Sequence, residues 1–365
     1  MRPKPRPRRE TPGQLERRYL RKAGYVLLAL LAGGWLFARP DSAAIESVYS
    51  RGLYPVIANV LVPLTNALPV SLAVLLLVAL PIAAITVFAI SFRRHPFKIW
   101  LPRTLGRLFA GGLVLYALFV LIWGANYERL PVETQFDLRE VATTEADLMR
   151  LVAGLQGVLE RDYQAPANVD AALAATASEL IRLVNTVTGT FPTLPSDVKR
   201  LPPGSLILSG GASGIISPWT LEPHVDGALH PTDVVAVGAH ELAHVAGYAG
   251  EADADLIAAL AGLGADDAFA RYAAALRLWT AANWQLPRNS AQANFGRLPA
   301  AVKADYEARL EPYRRFQVPT AVRDVQRGLY DRYLKSQGVT SGVQDYSRTV
   351  DLLIQAQRQG WVLAD

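Results

Sequence analysis

An uninterrupted apolar run at residues 70–92, VSLAVLLLVALPIAAITVFAISF, constrains the fold of this chain more than any other feature. As a helix it is long enough to cross the ~30 Å hydrocarbon core of a bilayer, and it contains no charged residue. Residues 108–127 form a similar run, and residues 23–38 form a shorter one that no clean A-x-A cleavage site follows. We therefore expect a membrane region at 23–127 with three transmembrane helices, the first an uncleaved anchor rather than a signal peptide.

Basic residues flank these runs unevenly and predict the orientation of the chain. Nine Lys and Arg residues lie within positions 1–22 and five lie within 93–107, whereas the segment 40–69 contains only Arg51. Because segments rich in Lys and Arg stay in the cytoplasm, we expect a basic cytoplasmic tail at 1–22 and a cytoplasmic loop at 93–107. Three spans then place residues 128–365 on the outer face of the cell membrane, in a multi-pass protein whose partner is the lipid bilayer.

The segment between the first two runs also has a helical pattern. AIESVYSRGLYPVIANVLVPL, at residues 44–64, combines apolar residues at near-helical spacing with few charges. This pattern fits a helix in the outer membrane interface, and it fits equally a helix packed against the spans. The sequence leaves both arrangements open.

Composition excludes several classes of protein. The chain has no cysteine, which excludes disulfides, thiolate metal sites and cysteine nucleophiles. Its net charge of +5 arises in the first 125 residues, which hold 16 Lys and Arg but only 4 Asp and Glu, while the remainder is acidic. Because these basic residues border apolar runs, they indicate membrane orientation, and we expect no nucleic-acid partner. The oligomeric state stays open.

Residues 128–365 have the pattern of a mainly α-helical domain with a small sheet. The segment 143–163 has apolar residues at helical spacing, and two threonines precede its acidic residues as at a helix start. A second helix is expected at about 167–187. LILSG at 206–210 and the segment 214–225 are short, β-branched or aromatic, and bounded by Gly and Pro, which predicts strands. The expected fold is mainly α: three membrane helices followed by an α-rich domain of the α+β kind.

The motif His-Glu-x-x-His at residues 240–244 predicts a zinc site. Positions four apart on a helix project from one face, so the imidazoles of His240 and His244 reach one tetrahedral zinc ion with Zn–N distances of about 2.0–2.1 Å. Glu241 lies beside them and is the expected general base for water activated by the metal. The residues before the motif are apolar, and a glutamate ionised in such surroundings is costly unless it has a chemical role.

A third ligand is expected among the acidic residues that follow the motif. On one continuous helix Glu251 would lie ~10 Å beyond the second histidine along the axis, too far to share a metal ion. The helix must therefore break, and Gly247 and Gly250 lie in the gap. A turn there returns a second helix with Glu251 as ligand, or with Asp253 as the alternative, and Asp255 orients a ligand histidine. A solvated helix start is the other explanation of these acids.

The chain resembles a bacterial family, a domain of unknown function with three N-terminal membrane spans and a zinc-peptidase-like domain. The resemblance rests on four segments: ESVYSRGLYP (46–55), SGIISPWTLEPHV (213–225), HELAHVAGYAGEADAD (240–255) and YLKSQG…YSRTVDLL near the C-terminus. The E-x-x-x-D spacing of Glu251 and Asp255 is also similar to that of gluzincin metallopeptidases, in which the glutamate ligates zinc. The resemblance thus implies a zincin-like domain.

Two positions depart from the family pattern. The family more often has Glu where Asp253 stands, which leaves the choice between Glu251 and Asp253 open. It also often has Gly where Leu221 stands, directly before Glu222.

The resemblance implies substrate contacts outside the motif. In zinc peptidases of this kind an edge strand pairs with the bound peptide by β-augmentation. Residues 214–225 would be that strand, with Trp219 and Glu222 on the substrate side and His224 donating to the reacting carbonyl. Trp219 in the core and His224 on the surface is the alternative interpretation.

These expectations combine into one function. We expect a membrane-anchored, zinc-dependent metallopeptidase that acts outside the cytoplasm on a peptide or protein substrate, with Glu241 as general base. Tyr346 or Arg348 is the expected oxyanion-stabilising residue. The alternatives are a zinc hydrolase of a non-peptide envelope amide or ester, and a non-catalytic zinc-stabilised binding module. Glu241 argues against the last, since a structural zinc ion needs no general base.

Overall fold

The computed structural model describes the chain continuously from residue 40, apart from short gaps, together with the single residues 13, 24 and 35. The gaps are 140–141, 165–167, 210, 317, 320, 323, 326–327, 329–331, 333–344 and 364–365. The predicted tail and the predicted first span at 23–38 therefore lie outside the described residues, apart from those single positions. The chain divides into two compact units, Met1–Pro40 with Val78–Leu121, and Asp41–Leu77 with Ile122–Asp365.

The second unit begins with continuous helix at residues 42–66. After the short turn Ser42–Ala44, residues Ile45–Leu53 form a π-helix, and α1 follows at Tyr54–Asn66. One apolar face of α1 is buried and the opposite one is exposed, with Tyr54, Ala58 and Val62 on the first and Val56, Val60 and Leu64 on the second. The sequence assigns this segment to the membrane region, and the structure joins it to the unit that contains residues 122 onward.

Two further helices, α2 (Leu72–Arg94) and α3 (Phe97–Ile122), are long and apolar enough to cross a membrane. Their mean hydropathies over 18 residues are 2.8 and 2.1, and almost none of their surface is buried within the chain. A helix that is apolar on all sides and uncovered suits a lipid environment. Among the described residues these are the two candidate spans, and α2 agrees with the prediction at 70–92.

The start of α3 differs from the prediction. The sequence placed a loop at 93–107 and a span at 108–127, but α3 is already helical from Phe97, so the predicted loop is wrong for most of its length. The carbonyl of Pro96 accepts the first helical amides of α3. Lys and Arg are good helix formers, so the basic residues that mark a membrane boundary do not mark the end of a helix.

Helices α4 (Glu145–Asp162) and α5 (Val169–Thr188) confirm the helical pattern read from this part of the sequence. α4 starts with a capping box, in which the Asp147 amide donates to the Thr144 hydroxyl at 3.2 Å and the Thr144 amide donates to the Asp147 carboxylate at 2.9 Å. α5 ends at Gly189, whose φ of 71° stops the helix.

A three-stranded sheet has the order β1-β3-β2, with β1 at Lys199–Leu201, β2 at Gly214–Ser217 and β3 at Glu222–Asp226. β3 is central, parallel to β1 and antiparallel to β2. The predicted strand at 206–210 is wrong, because Leu206–Ser209 forms one helical turn. Periodicity does not separate a strand from a helical turn in so short an apolar run.

The remaining helices enclose a buried central one. α6 (Pro231–Val245) is buried at every position from Thr232 to Val245 and packs against α5, the sheet and the two helices that follow. Those helices are α7 (Glu251–Gly264) and α8 (Ala268–Asn283), and the described chain continues with α9 (Arg288–Arg297), α10 (Ala300–Arg315) and α11 (Asp345–Arg358). The mainly helical fold with a small sheet agrees with the expected class.

The close approach of α7 to α8 depends on Gly262, and its substitution tests this packing. A Cβ at Gly262 would lie 2.6 Å from the Ala274 Cβ, so we expect Gly262→Ala to lower the free energy of unfolding by about 1–3 kcal/mol through overpacking. Gly157→Ala, on α4 with open space at its Cβ, should instead be neutral or stabilising by up to about 1 kcal/mol. Thermal unfolding of the full chain in detergent measures both, and equal effects would contradict the packing.

Candidate metal centre

A tight turn between α6 and α7 brings two segments of the chain face to face. α6 ends at Val245, Gly247 has a φ of 88°, and α7 starts at Glu251, so the predicted break at Gly247–Gly250 is confirmed. The amide of Tyr248 reaches back to the Ala243 carbonyl at 3.1 Å, which closes the helix end. Glycine is required at 247 both for its backbone angle and because a Cβ there would lie 3.1 Å from the Tyr54 ring.

The turn assembles a three-residue cluster of ligand atoms. One nitrogen each of His240 and His244 and one oxygen of Glu251 lie within 4.8 Å of one another, and all three side chains are buried. The Glu251 carboxylate is 3.2 Å from Nε2 of His240 and 3.8 Å from Nε2 of His244. Within the described part of the chain this is the group with a metal-binding arrangement, and Asp253 lies outside it. The cluster contains the three residues that the sequence favoured.

Hydrogen bonds on the far side of each imidazole orient both rings. Nδ1 of His244 donates to the carbonyl of Tyr248 at 2.6 Å, and this bond directs Nε2 toward Glu251. Nδ1 of His240 lies 2.8 Å from the Asp255 carboxylate, as the sequence predicts for an orienting acid. Asp255 in turn accepts from Thr349 at 3.1 Å and from Arg277 at 3.4 Å. Neither Thr349 nor Arg277 has a sequence signal that would have revealed this role.

The acidic and basic groups of the cluster stabilise one another in their charged forms. Burial lowers the pKa of His240, but the carboxylates of Asp255 and Glu251 outweigh it and raise that pKa to about 10. Burial raises the pKa of Glu251, but the neighbouring imidazoles of His240 and His244 hold it well below the usual range. Without a cation the cluster therefore stabilises positive charge between two carboxylates, which is the electrostatic condition for binding a metal ion.

Glu241 lies beside the cluster in unusual surroundings. Its side chain is buried, and its Oε2 has no hydrogen-bond partner among the described residues. Burial raises its pKa to about 7. Gly214, at the start of β2, leaves room for this carboxylate, since a Cβ there would lie 2.4 Å from its Oε1. A buried carboxylate oxygen without a partner calls for a chemical explanation, and a role in proton transfer provides one.

The donor set fits zinc. Two neutral imidazoles and one carboxylate are a common ligand set of catalytic zinc sites, and three protein ligands leave a fourth position for substrate or water. Structural zinc sites instead close with four protein ligands. The orienting bonds to both Nδ1 atoms complete the arrangement expected around such ligands.

Glu222 and His224 have partners on a different element from the cluster. The Glu222 carboxylate accepts from the amides of Leu72 at 2.9 Å and Ala73 at 2.7 Å, and so caps the N-terminus of α2. It also forms an ion pair with Lys199. The ring nitrogens of His224 lie 2.8 Å from the Ser71 hydroxyl and 3.2 Å from the Ile215 carbonyl. These contacts give both residues a structural role, and their predicted substrate roles stay predictions.

The structure places two of the other predicted residues, Trp219 and Arg348, outside the cluster. Trp219 is 43% exposed in the β2–β3 turn. Leu221 in the same turn has a φ of 54°, which explains why glycine suits this position in the resembling family. Arg348 forms an ion pair with Glu133 and lies 3.8 Å from Asp253. The side chain of Tyr346 lies outside the described residues.

Comparison with known proteins identifies a family whose description names no activity. A family model described as "Protein of unknown function (DUF3810)" matches residues 49–354 of the chain. The match includes the whole candidate metal centre and both apolar helices. No curated protein and no solved structure matches the chain. The function must therefore be argued from the site.

The choice of third ligand can be tested by metal binding. We expect Glu251→Gln to abolish high-affinity zinc binding, and Asp255→Asn to weaken it by about 10–100-fold because His240 loses its orienting acid. Asp253→Asn, a charge-matched change on the same helix turn, should leave the affinity unchanged. Titration of the full chain with zinc against a competing chelator measures all three. Loss of binding in Asp253→Asn alone would reverse the assignment.

Glu241 is expected to lower the stability of the metal-free chain above acidic pH. The pKa of Glu241 is 4.5 in the unfolded chain and about 7 in the folded chain. Burial of Glu241 therefore costs no stability below pH 4.5, and the free energy of unfolding falls as the pH rises from there to about 7. Metal-free Glu241→Gln should match the wild type near pH 4.5 and exceed it by about 3 kcal/mol above pH 7. Denaturant unfolding in the presence of a chelator measures the difference, and a difference independent of pH would contradict this burial.

Proposed function

The chain belongs to the DUF3810 family, a domain of unknown function, and we propose from its site that it is a membrane-anchored zinc-dependent metallopeptidase. The observation that carries the proposal is Glu241, a buried carboxylate whose Oε2 has no hydrogen-bond partner among the described residues, next to the His240–His244–Glu251 cluster. Such a carboxylate is costly to keep in a protein interior. A proton-transfer role beside a metal ion gives a reason for it that a purely structural zinc site does not.

His240, His244 and Glu251 are the residues that would hold the zinc ion, each through the atom that faces the others. When bound, zinc supplies a Lewis acid that polarises a substrate carbonyl and lowers the pKa of water. Asp255 and the Tyr248 carbonyl keep the two Nε2 atoms directed at that position. These orienting contacts hold the site ready before substrate arrives.

Glu241 moves the proton in the proposed reaction. Its carboxylate accepts a proton from the attacking water as the C–O bond forms, and delivers the proton to the amine nitrogen as the C–N bond breaks. Burial raises the pKa of Glu241 to about 7 in the metal-free chain, so this interior favours the uptake of a proton by the carboxylate. The proposed reaction is therefore the hydrolysis of a peptide bond.

Strand β2 supports a peptide as the substrate. It is an edge of the sheet, paired on one side with β3 and with no strand on its other side among the described residues. An extended peptide adds to such an edge by main-chain hydrogen bonds. Gly214 at the start of β2 lies directly against Glu241, so a peptide on this edge would run past the general base.

The proposed location is the outer face of the cell membrane. α2 and α3 are long and apolar enough to anchor the chain. The excess of Lys and Arg in the N-terminal tail and around the start of α3 favours a cytoplasmic position for both. The metal-bearing segment would then act outside the cytoplasm.

Loss of the general base is the sharpest test of this proposal. We expect the full chain in detergent to bind about one zinc ion and to cleave peptides from a mixed library, with cleavage followed by mass spectrometry. Glu241→Gln should retain zinc and lower the cleavage rate by about 10²–10⁴-fold, because proton transfer is lost while the ligands stay. Undiminished cleavage would contradict the role of Glu241, and zinc without peptide cleavage would favour a non-peptide hydrolase or a binding module.

Gly214 provides an independent test that changes no charged group. A Cβ at this position would lie 2.4 Å from Glu241 Oε1 and 2.7 Å from Val237 Cγ1. We expect Gly214→Ala to displace the carboxylate and lower cleavage at least tenfold with zinc retained. Gly296→Ala, which adds a methyl group in open space, is the matched control and should cleave like the wild type.

A further inference from the structure

The turn between the two ligand-bearing helices is held from outside by side chains of two distant segments. These are the ESVYSRGLYP segment at 46–55 and residues 123–129, which together we name the turn clamp. We propose that the turn clamp, centred on Arg129, is a positioning element that sets the orientation of His244 in the metal site. The proposal rests on the proposed function only in taking the cluster as a metal site.

Arg129 is the centre of the turn clamp. Its guanidinium is buried and binds Glu46 through two hydrogen bonds of 3.0 Å, from Nε and from Nη2. The third nitrogen, Nη1, donates to the Gly247 carbonyl at 2.9 Å. The guanidinium carbon Cζ lies over the Tyr248 ring, 4.3 Å from its centre. Arg129 therefore fixes two consecutive residues of the turn, one by its carbonyl and one by its ring.

The contact with Tyr248 leads directly to a metal ligand. The Tyr248 carbonyl accepts the Nδ1 hydrogen of His244 at 2.6 Å, and this bond determines where Nε2 points. If the Tyr248 peptide rotates, that acceptor moves and His244 loses its orientation. None of the hydrogen bonds described for Arg129 involves an atom of a metal ligand or of Glu241. It is therefore a positioning residue and acts through Tyr248.

Two further side chains of the turn clamp bind the end of α6. The indole Nε1 of Trp123 donates to the His244 carbonyl at 3.0 Å, and the Tyr54 hydroxyl donates to the Val245 carbonyl at 2.5 Å. The last carbonyls of a helix have no partner inside the helix and must find one outside it. Here the Trp123 and Tyr54 side chains supply partners in addition to the Gly247 amide, which donates to the His244 carbonyl at 3.0 Å, and together they fix the end of α6 relative to the turn.

This network also explains the ESVYSRGLYP segment, which the proposed catalytic role leaves unused. The π-helix at Ile45–Leu53 brings residues five apart together, and Arg51 donates to Glu46 at 2.9 Å. The Ser50 hydroxyl donates to Asn126 at 2.9 Å and links the two parts of the turn clamp. The segment therefore supplies the carboxylate for Arg129 and the hydroxyl that binds the end of α6.

A second arginine in the same unit provides a matched control. Arg271 binds Asp162 through two hydrogen bonds of 2.8 and 3.1 Å and donates to the Ala265 carbonyl at 2.7 Å. Like Arg129, it binds a carboxylate through two nitrogens and a carbonyl at a helix end through the third. That carbonyl lies at the C-terminal end of α7, whereas the ligand Glu251 is at the start of α7. Because Arg129 is 5% exposed and Arg271 is 26% exposed, the unfolding temperature measures any general loss of stability, and the metal-site readout measures positioning.

Cobalt binding to the full chain in detergent tests the proposal. We expect Arg129→Lys, which keeps the charge but loses the fork, to weaken Co²⁺ binding by about 10–100-fold and to shift its visible d–d absorption bands. Arg271→Lys should lower the unfolding temperature with unchanged bands and affinity. Equal cobalt affinities and identical spectra in the two variants and the wild type would overturn the positioning role.

A milder pair of variants covers the case in which Arg129→Lys does not fold. Tyr54→Phe removes only the hydroxyl bonded to Val245, and Tyr272→Phe removes the hydroxyl that donates to Asp305 at 2.7 Å. We expect a measurable loss of cobalt affinity in the first and none in the second, and equal affinities would overturn the proposal. A wild type that binds cobalt but cleaves no peptide would refute the proposed peptidase and leave this test intact. A wild type that binds no cobalt would refute both.

Discussion

The reversal of the chain at Gly247 is the constraint on which the candidate site depends. Two histidines on a helix and a glutamate seven residues further on cannot meet unless the helix stops within that interval. The turn does this in five residues, between Val245 and Glu251. Glycine is needed twice over, for its left-handed backbone and for the absence of a side chain against the Tyr54 ring. A single backbone angle therefore decides whether the cluster exists.

Around that turn, the ligand histidines and the helix end have partners for their polar groups. His240 and His244 are held by Asp255 and the Tyr248 carbonyl, and the end of α6 is held by the turn clamp. Glu241 keeps one oxygen unsatisfied among the described residues, and Asp233 on the same helix and Asn126 of the turn clamp each also have one unsatisfied side-chain atom. A buried unsatisfied group calls for an explanation at each position. What distinguishes Glu241 is its place beside the ligand cluster, which supports a reactive role for it.

The parts of the site that the sequence predicted are those built from local spacing. The helix carrying the histidines, its break at the two glycines, and the return of Glu251 and Asp255 all follow from intervals of four to fifteen residues. Glu222 and His224 show where local reasoning ends, because their partners at Ser71, Leu72 and Ala73 lie about 150 residues earlier in the chain. Arg129 was missed for the same reason. A lone arginine after an apolar run has no local pattern that shows which carbonyl it binds.

The same distinction holds for the fold. Periodicity predicted α4 and α5, whose apolar faces and caps are contained within each helix. It failed at Leu206–Ser209, where four residues are too few to show a period, and at the start of α3, where charge pattern was taken as a boundary of structure. Basic residues indicate where a helix meets the membrane surface, whereas backbone hydrogen bonds determine the residue at which the helix begins.

The position of the turn along the chain has a consequence for assembly. The ligand cluster and its orienting acid come from only 16 residues, 240–255, so closing that loop costs little entropy, whereas Arg129 reaches Gly247 across 118 positions. The residues of the turn clamp are synthesised before the hairpin and border the apolar segments. The hairpin therefore leaves the ribosome after the turn clamp and closes onto segments that are already made, while Arg277 and Thr349, which bind Asp255, follow later. Gathering the ligands is a short-range event and fixing them is a long-range one, so the two can occur at separate times during biogenesis.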